Sequence, residues 1–105
     1  MVDGPVHSFY SFVYTLELEN GKFYCGVTFN LNVRYYQHCT GHGGAKWTSL
    51  HKPVKILSVV PGGRDLEREV TLELMREHGW RNVRGGPWCK VELKQCPIKV
   101  MPKDG

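Results

Sequence analysis

An Asn20-Gly21 dipeptide separates two runs of aromatic and β-branched residues, and this arrangement restricts the fold more than any other feature. Asn-Gly between two such runs is a strong local signal for a β-hairpin. The sequence therefore predicts one strand over 12–18 and a returning strand over 22–28.

Helix and strand signals alternate after the hairpin. Asn30 can cap a helix that runs from Leu31 to about Cys39, and the glycine-rich segment that follows ends it. A helical turn over 45–50 precedes Pro53, and the apolar run Val54–Val60 indicates a buried strand. The pattern then predicts a helix over 64–78, stopped at Gly79. This order predicts a small α/β domain with a three-stranded antiparallel or mixed sheet flanked by helices.

The chain has 105 residues, which is the size of one domain. We assign residues 12–93 to that domain, 1–11 to a flexible lead-in and 94–105 to a loose tail. No apolar run approaches the ~20 residues that span a bilayer, and the N-terminus lacks the pattern of a signal peptide. We therefore expect an intracellular protein without a membrane partner.

The four cysteines are too sparse for a disulfide scaffold and form no C-x-x-C pair. We expect reduced thiols, mostly buried as small apolar groups. A zinc site that uses Cys39 and His42 stays open as the alternative, while Cys89 and Cys96 have a spacing that fits zinc fingers poorly. The glycine pairs are not followed by Gly-Lys-Ser/Thr, so a phosphate loop for a nucleotide cofactor is not indicated.

Acidic residues are unevenly distributed in a chain of net charge +4. No Asp or Glu lies between Glu19 and Asp65, whereas six cations lie in that interval: Lys22, Arg34, Lys46, Lys52, Lys55 and Arg64. Spaced cations without carboxylates suit a surface that contacts the phosphates of a nucleic acid. An ordinary basic surface would have the same composition.

Several motifs in chain order resemble those of the GIY-YIG nuclease family. The resemblance covers roughly residues 12–84 and rests on Val13-Tyr14, Tyr24-Cys25-Gly26, Asn30–Arg34 with His38, Gly43–Thr48 before Pro53, Glu67, and the segment 79–86 with Asn82. Many members have Lys directly after the second triplet, where this chain has Val27. The resemblance implies the family's fold and a metal-dependent hydrolysis of DNA phosphodiester bonds.

The resemblance also implies roles for individual residues. Glu67 would hold Mg²⁺ or Mn²⁺. Tyr14 would activate the attacking water, with His38 accepting or relaying its proton. Arg34 would stabilise the charge that develops on the phosphate, because its guanidinium is a planar cation.

Two further residues receive supporting roles from the same resemblance. Tyr24 would orient water or phosphate, and Asn82 would brace the site through a hydrogen bond. Which of the two tyrosines activates the water stays open.

A helical wheel separates Glu67 from its neighbour Glu69. At ~100° per residue, Glu67 falls in the apolar stripe with Leu66 and Val70, whereas Glu69 lies on the far face. A carboxylate on a buried face is costly unless it is paired or binds a metal. Glu67 is therefore the preferred metal ligand.

A site that uses both tyrosines constrains the hairpin loop. A two-residue turn would place Tyr14 and Tyr24 on opposite faces of the sheet. A three-residue loop over 19–21, with Gly21 left-handed, places them on one face and sets Tyr14 opposite Gly26. We predict the three-residue loop.

Residues outside the catalytic set are expected to hold DNA. Lys46, Lys52 and Lys55 are predicted to contact phosphates, and Trp47 either stacks on an unpaired base or packs as a core aromatic under the loop. The substrate could be single-stranded, branched or duplex DNA, with weak sequence specificity. A non-catalytic nucleic-acid-binding module of the same fold is the alternative function.

Overall fold

The computed structural model describes residues 10–97. Most of the predicted lead-in and tail, residues 1–9 and 98–105, lies outside this range. Within it the elements follow in the order β1 (Phe12–Leu18), β2 (Lys22–Thr28), α1 (Leu31–Thr40), α2 (Lys46–Leu50), β3 (Pro53–Pro61), α3 (Arg64–His78) and β4 (Val83–Gly85). The predicted strands and helices lie within one or two residues of these bounds, and β4 was not predicted.

The hairpin loop has the predicted three residues. Glu19–Gly21 forms one 3₁₀ turn, in which Asn20 and Gly21 have φ values of 64° and 69°. Leu18 consequently pairs with Lys22, and Tyr14 pairs with Gly26. The left-handed conformations of Asn20 and Gly21 thus close a three-residue loop. This loop length sets the strand register that puts Tyr14 and Tyr24 on one face of the sheet.

The sheet has four strands in the order β3-β1-β2-β4, so the prediction of three strands is wrong. The first three strands are antiparallel, and β4 lies parallel to β2. β4 has three residues and begins directly after a 3₁₀ turn over Trp80–Asn82. So short a strand is defined by its backbone pairing with Phe23–Cys25 and shows no side-chain periodicity in the sequence.

Helices cover both faces of the sheet. On one face α3 packs over a cluster that includes Val13, Cys25, Leu74, Met75 and Val83. On the other face α1 and α2 pack over a second cluster, formed by Tyr14, Leu16, Leu18, Tyr24 and Trp47. We call these the α3 face and the tyrosine face.

β3 is not the buried strand that its apolar run predicts. It is hydrogen-bonded to β1 and forms an edge of the sheet, with two register shifts along the pairing. Its exposed apolar residues are Val54, Leu57, Val59 and Val60. A run of apolar residues reports hydrophobicity and not strand position, which is why the sequence did not separate an edge strand from a central one.

Across residues 10–97, none of the helices combines the length and apolar character needed to cross a bilayer. All four cysteines are free thiols, as expected. Cys25 is buried, but Cys39 and Cys89 are exposed, so the expectation of mostly buried thiols is wrong. Their positions at the end of α1 and after β4 lie outside both core clusters.

Candidate active site

The hairpin and α1 bring three aromatic side chains together on the tyrosine face. The ring centroids of Tyr14 and Tyr24 are 6.3 Å apart, and the His38 ring lies 5.8 Å from the first and 4.9 Å from the second. Tyr14 is opposite Gly26, where an added Cβ would collide with the tyrosine hydroxyl and Cζ. Gly26 therefore provides the space in which the Tyr14 ring lies.

A chain of buried hydrogen bonds runs from the Tyr14 hydroxyl into α2. The Tyr14 hydroxyl lies 2.7 Å from His38 Nε2, and His38 Nδ1 lies 2.8 Å from Thr48 Oγ1. Thr48 Oγ1 in turn donates its proton to the Ala45 carbonyl at 2.9 Å. Because that proton is committed, Thr48 accepts from His38 Nδ1–H, which leaves Nε2 as the acceptor for the Tyr14 hydroxyl.

The charge states agree with this direction of donation. Burial is the main cause that lowers the pKa of His38 to about 4, and the Arg34 cation contributes in the same sense. Burial likewise raises the pKa of Tyr14 above its usual range, while Arg34 opposes that shift. At neutral pH the pair therefore consists of a neutral tyrosine donating to a neutral imidazole.

Arg34 lies one helical turn before His38 and on the same side of α1. Its Nη1 donates to Gln37 Oε1 and to the Gly43 carbonyl, each at 2.9 Å. The guanidinium also faces Tyr14 and Tyr24, whose pKa values it lowers against the larger effect of burial. Arg34 thus places a fixed positive charge beside both tyrosines.

Glu67 reaches the neighbourhood of this cluster from the α3 face. As the wheel predicts, Glu67 is half-buried in the first turn of α3 and Glu69 is exposed. Burial raises the pKa of Glu67, while the Gly86 backbone N–H and Arg64 oppose the shift. Its charge also contributes to raising the pKa of Tyr24. The carboxylate therefore lies beside the Gly86 N–H, which directly follows β4, and its charge acts on Tyr24.

The surroundings of Glu67 fit a hydrated divalent cation. Glu67 lines a cleft of about 440 Å³ together with Val27, Arg64, Asp65, Arg68, Gly86 and Pro87. Mg²⁺ is commonly held by one or two carboxylates, waters and substrate phosphate, and does not require a full protein cage. No group of three His, Cys, Asp or Glu side chains forms a metal site within residues 10–97, and the zinc alternative therefore gains no support.

The structure does not bring Asn82 into contact with the tyrosine cluster. Its side-chain amide donates to the His78 carbonyl at 2.8 Å, and its Oδ1 accepts from Lys22 Nζ at 2.8 Å. Both bonds fix the connection between α3 and β4. Asn82 therefore stabilises the end of α3, which differs from the predicted brace within the site.

Trp47 is a core residue, which favours the second of its two alternatives, a core aromatic, over stacking on a base. It is 4% exposed, and its Nε1 donates to the Phe23 carbonyl at 3.0 Å. The guanidinium of Arg84 lies 4.3 Å from the ring centroid. The alternative interpretation, a core aromatic beneath the loop, describes its place in the structure.

The predicted DNA-binding lysines do not form one patch. Lys52 lies at the hairpin end, where its backbone N–H bonds Glu19 Oε1 and its carbonyl accepts from Glu19 N–H. Lys55 lies 3.9 Å from Glu17 in an ion pair. Because Glu17 alternates with residues on the tyrosine face, Lys55 projects from the opposite side. Lys46, exposed at the start of α2, borders the loop that holds Arg34, and Lys52 Nζ also approaches this loop, 3.5 Å from where a Cβ at Gly41 would lie.

Three features of the site were missed by sequence reasoning. Thr48 orients His38, and the only sequence signal was its place at the end of the Gly43–Thr48 motif. The Gly86 N–H contacts Glu67 through backbone geometry, for which the sequence has no signal. Arg64 and Arg68 line the Glu67 cleft, and their spacing of four on the predicted helix could have indicated a shared side.

Comparisons with known proteins identify the family of this chain. The profile of the GIY-YIG catalytic domain matches residues 10–80. A UPF0213 protein of Neisseria meningitidis serogroup C is 45% identical over 53 residues, which cover 50% of this chain and 56% of the relative. The UPF0213 protein encoded in the glnA 3′ region of Neisseria gonorrhoeae is 38% identical over 65 residues, covering 58% of this chain and 69% of the relative.

A UPF0213 protein of Syntrophus aciditrophicus is 38% identical over 47 residues, which cover 45% of this chain and 54% of that protein. The chain spans little more than half the length of the first of these relatives. No solved structure matches the chain. The family profile covers more than half of the chain and includes both tyrosines, Arg34, His38 and Glu67. The chain therefore belongs to the GIY-YIG family.

Proposed function

We propose that this chain is a metal-dependent endonuclease that hydrolyses DNA phosphodiester bonds, with weak sequence specificity or with selection by DNA structure. The observation that carries the proposal is the hydrogen-bond chain from Tyr14 through His38 to Thr48, with Arg34 beside it. A buried chain of this kind holds both a proton donor and a neutral acceptor in fixed directions. Membership of the GIY-YIG family supports a nuclease activity.

In this proposal Tyr14 and His38 act as one proton acceptor. The attacking water gives its proton to the Tyr14 oxygen, while the Tyr14 hydroxyl proton moves to His38 Nε2. His38 then has protons on both nitrogens, and Thr48 continues to accept from Nδ1–H. Because Tyr14 is protonated at neutral pH, it can take the proton of the water only while its own proton passes to the neutral imidazole. The proton leaves His38 for solvent after the phosphorus–oxygen bond of the leaving group has broken.

Arg34 and Glu67 address the charge of the phosphate. Arg34 stabilises the negative charge that develops on the nonbridging oxygens, since its guanidinium is already fixed by Gln37 and the Gly43 carbonyl. Glu67 would hold a Mg²⁺ or Mn²⁺ ion, which supplies Lewis-acid stabilisation of the leaving oxygen when bound. Tyr24, close to both His38 and the charge of Glu67, is positioned to orient the phosphate or the water.

The test is cleavage of single-stranded, duplex and branched DNA with Mg²⁺, with Mn²⁺ and with a chelator. We expect cleavage only with a metal ion, and its loss in Glu67→Gln. Glu69→Gln is the matched control, because Glu69 is an exposed carboxylate two residues away on the same helix. Cleavage that survives in Glu67→Gln and disappears in Glu69→Gln would contradict the assignment of the metal ligand.

The alternative function is a non-catalytic nucleic-acid-binding module. It predicts that the wild-type chain binds DNA without cleaving it under any metal condition. The presence of Tyr14, Tyr24, Arg34, His38 and Glu67 in one neighbourhood favours the enzyme. No observation specifically favours the alternative.

A further inference from the structure

A groove extends from the Glu67 cleft along the N-terminal side of α3. A second cleft of about 290 Å³ adjoins the first, and the two share Val27 and Arg64 as lining residues. The second cleft is lined by Ser11, Val27, Thr28, Phe29, Gly63 and Arg64. We call the two clefts together the β2–α3 groove. Combined, they have the volume of a site for a small organic group.

Phe29 is an exposed aromatic side chain at one wall of this groove. It is 69% exposed, although most phenylalanines bury their rings. Its backbone is held on both sides: Thr28 Oγ1 accepts from Asn30 N–H at 3.1 Å, and Asn30 Oδ1 accepts from Val33 N–H at 3.2 Å. The ring is thus presented to solvent by a hydrogen-bonded turn that also caps α1.

The charges of the groove change along its length. Near Glu67 the cations Arg64 and Arg68 are balanced by Asp65 and Glu67. In the cleft around Phe29, Arg64 is the charged lining residue and no carboxylate lines the wall. A cation beside an exposed aromatic ring is the combination that binds a nucleotide, with the phosphate on the cation and the base against the ring.

The groove passes next to the proposed reaction centre. Glu67 lines the first cleft, and its charge acts on Tyr24, while Val27 lines both clefts from the α3 face. Glu67 lines the same groove one helical turn after Arg64. A DNA strand whose phosphate lies at Glu67 would therefore place its neighbouring nucleotide along Val27 toward Phe29.

We infer that the β2–α3 groove binds an unpaired nucleotide adjacent to the scissile phosphate, with its base stacked on Phe29 and its phosphate paired with Arg64. This inference rests on the proposed function for the identity of the scissile phosphate. Inside a duplex both faces of each base are covered by its neighbours, so a protein ring must unstack them to insert, whereas an unpaired or terminal base is already accessible. The groove thus selects single-stranded DNA, flaps and overhangs over continuous duplex.

The inference is tested by measuring DNA binding in chelator, where no cleavage is expected, with the Phe29 substitution and an abasic position introduced separately and together. Fluorescently labelled single-stranded oligonucleotides, intact or with one abasic position moved stepwise along the chain, are titrated in chelator with wild type and with Phe29→Ala. We expect Phe29→Ala to weaken binding of the intact strand about tenfold or more. One abasic position should weaken wild-type binding to the same degree and should have no further effect on Phe29→Ala.

Tyr36→Ala is the matched control, because Tyr36 is also an exposed aromatic, 64% exposed on α1, and lies outside the residues that line the groove. We expect it to bind the intact strand as wild type does. Equal losses in the two variants, additive effects of Phe29→Ala and the abasic position, or equal losses on single-stranded and blunt duplex DNA would overturn the inference.

The result is separable from that of the proposed function. If the wild-type chain cleaves no DNA, but the abasic position weakens its binding and has no further effect on Phe29→Ala, the inference about the groove holds and the proposed endonuclease activity is wrong. If the wild-type chain cleaves DNA, but Phe29→Ala binds the intact single strand as tightly as wild type does, the proposed activity holds and the inference about the groove is wrong.

Discussion

The two faces of the sheet are both buried, but they are built from different chemistry. The α3 face packs aliphatic and sulfur-containing side chains such as Val13, Leu74 and Met75. The tyrosine face buries polar atoms of Tyr14, His38 and Thr48, and joins them by hydrogen bonds. Burying polar groups costs free energy unless each finds a partner. The comparison indicates that the α3 face is mainly an apolar core, whereas the tyrosine face holds the hydrogen-bonded groups of the proposed proton path.

Two arginines, Arg84 and Arg34, also differ in this way: one stabilises the fold and the other lies among the groups of the proposed site. Arg84 is buried, and its guanidinium donates to the backbone carbonyls of Trp80, Arg81, Val83, Lys90 and Val91. Arg34 is anchored through Nη1 to Gln37 and the Gly43 carbonyl, and its guanidinium also faces the two tyrosines. Arg84 thus fixes the chain through backbone carbonyls, whereas Arg34 places its cation beside the two tyrosines of the proposed reaction.

The largest expected effect on activity comes from a substitution on the tyrosine face. Tyr14→Phe removes the hydroxyl that passes the proton to His38, so turnover on the best DNA substrate should fall about 10²- to 10⁴-fold. Tyr35→Phe is the control, since Tyr35 is a partly buried tyrosine packed on the same face. Cleavage rates at saturating DNA measure both. Equal losses in the two variants would remove Tyr14 from the proton path.

A substitution on the α3 face should lower the stability of the domain and leave its turnover unchanged. Met75→Ala deletes most of a side chain that is 1% exposed, and should lower the free energy of unfolding by about 2–5 kcal/mol. Turnover of the protein that remains folded should match wild type. Denaturant titration and cleavage assays at low temperature measure the two quantities, and a catalytic loss without a stability loss would contradict the division between faces.

His38, on the tyrosine face, should make the stability of the domain depend on pH. Its folded pKa of about 4 lies below the usual value of 6.5, so the unfolded chain binds more protons between these values. Stability should therefore be full above pH 6.5 and fall by on the order of 3 kcal/mol as the pH drops toward 4.

Denaturant titrations at pH 7 and pH 4.5 measure this dependence. His38→Gln should be less stable at pH 7 but should lose less stability between the two pH values than wild type. His42→Gln is the control because His42 is exposed. An unchanged pH dependence in His38→Gln would show that other groups cause the acid sensitivity.

The smallest expected effect concerns surface cations. Lys46→Ala should weaken DNA binding a few-fold and reduce the slope of log affinity against log salt by about one, because a single phosphate contact is lost. Saturated turnover should change little. Lys55→Ala, which breaks the ion pair with Glu17 on the other side of the sheet, should leave affinity close to wild type. Slower saturated turnover with normal affinity in Lys46→Ala would instead place Lys46 in the chemical step.

Much of the fold was predictable because its signals are local. The Asn30 cap, the Gly79 stop and the hairpin loop each depend on conformational preferences of one or two residues. The fourth strand was missed, since Val83–Gly85 is too short for a periodic pattern. The edge position of β3 was also missed, because it depends on which strands pair and not on the composition of Val54–Val60.

The sequence determined by itself which residue types are available and which lie on one helix or hairpin face. Tyr14 and Tyr24 share a face because of the loop length, and Arg34 and His38 because of their spacing of four. Tertiary structure decided the rest, since it sets the partners of groups far apart in the chain. It gave His38 its tautomer through Thr48, buried Trp47 under Arg84, and paired Lys55 with Glu17 from outside the acid-free interval. Hydrogen bonding and burial act through space, so these outcomes had no local signal in the sequence.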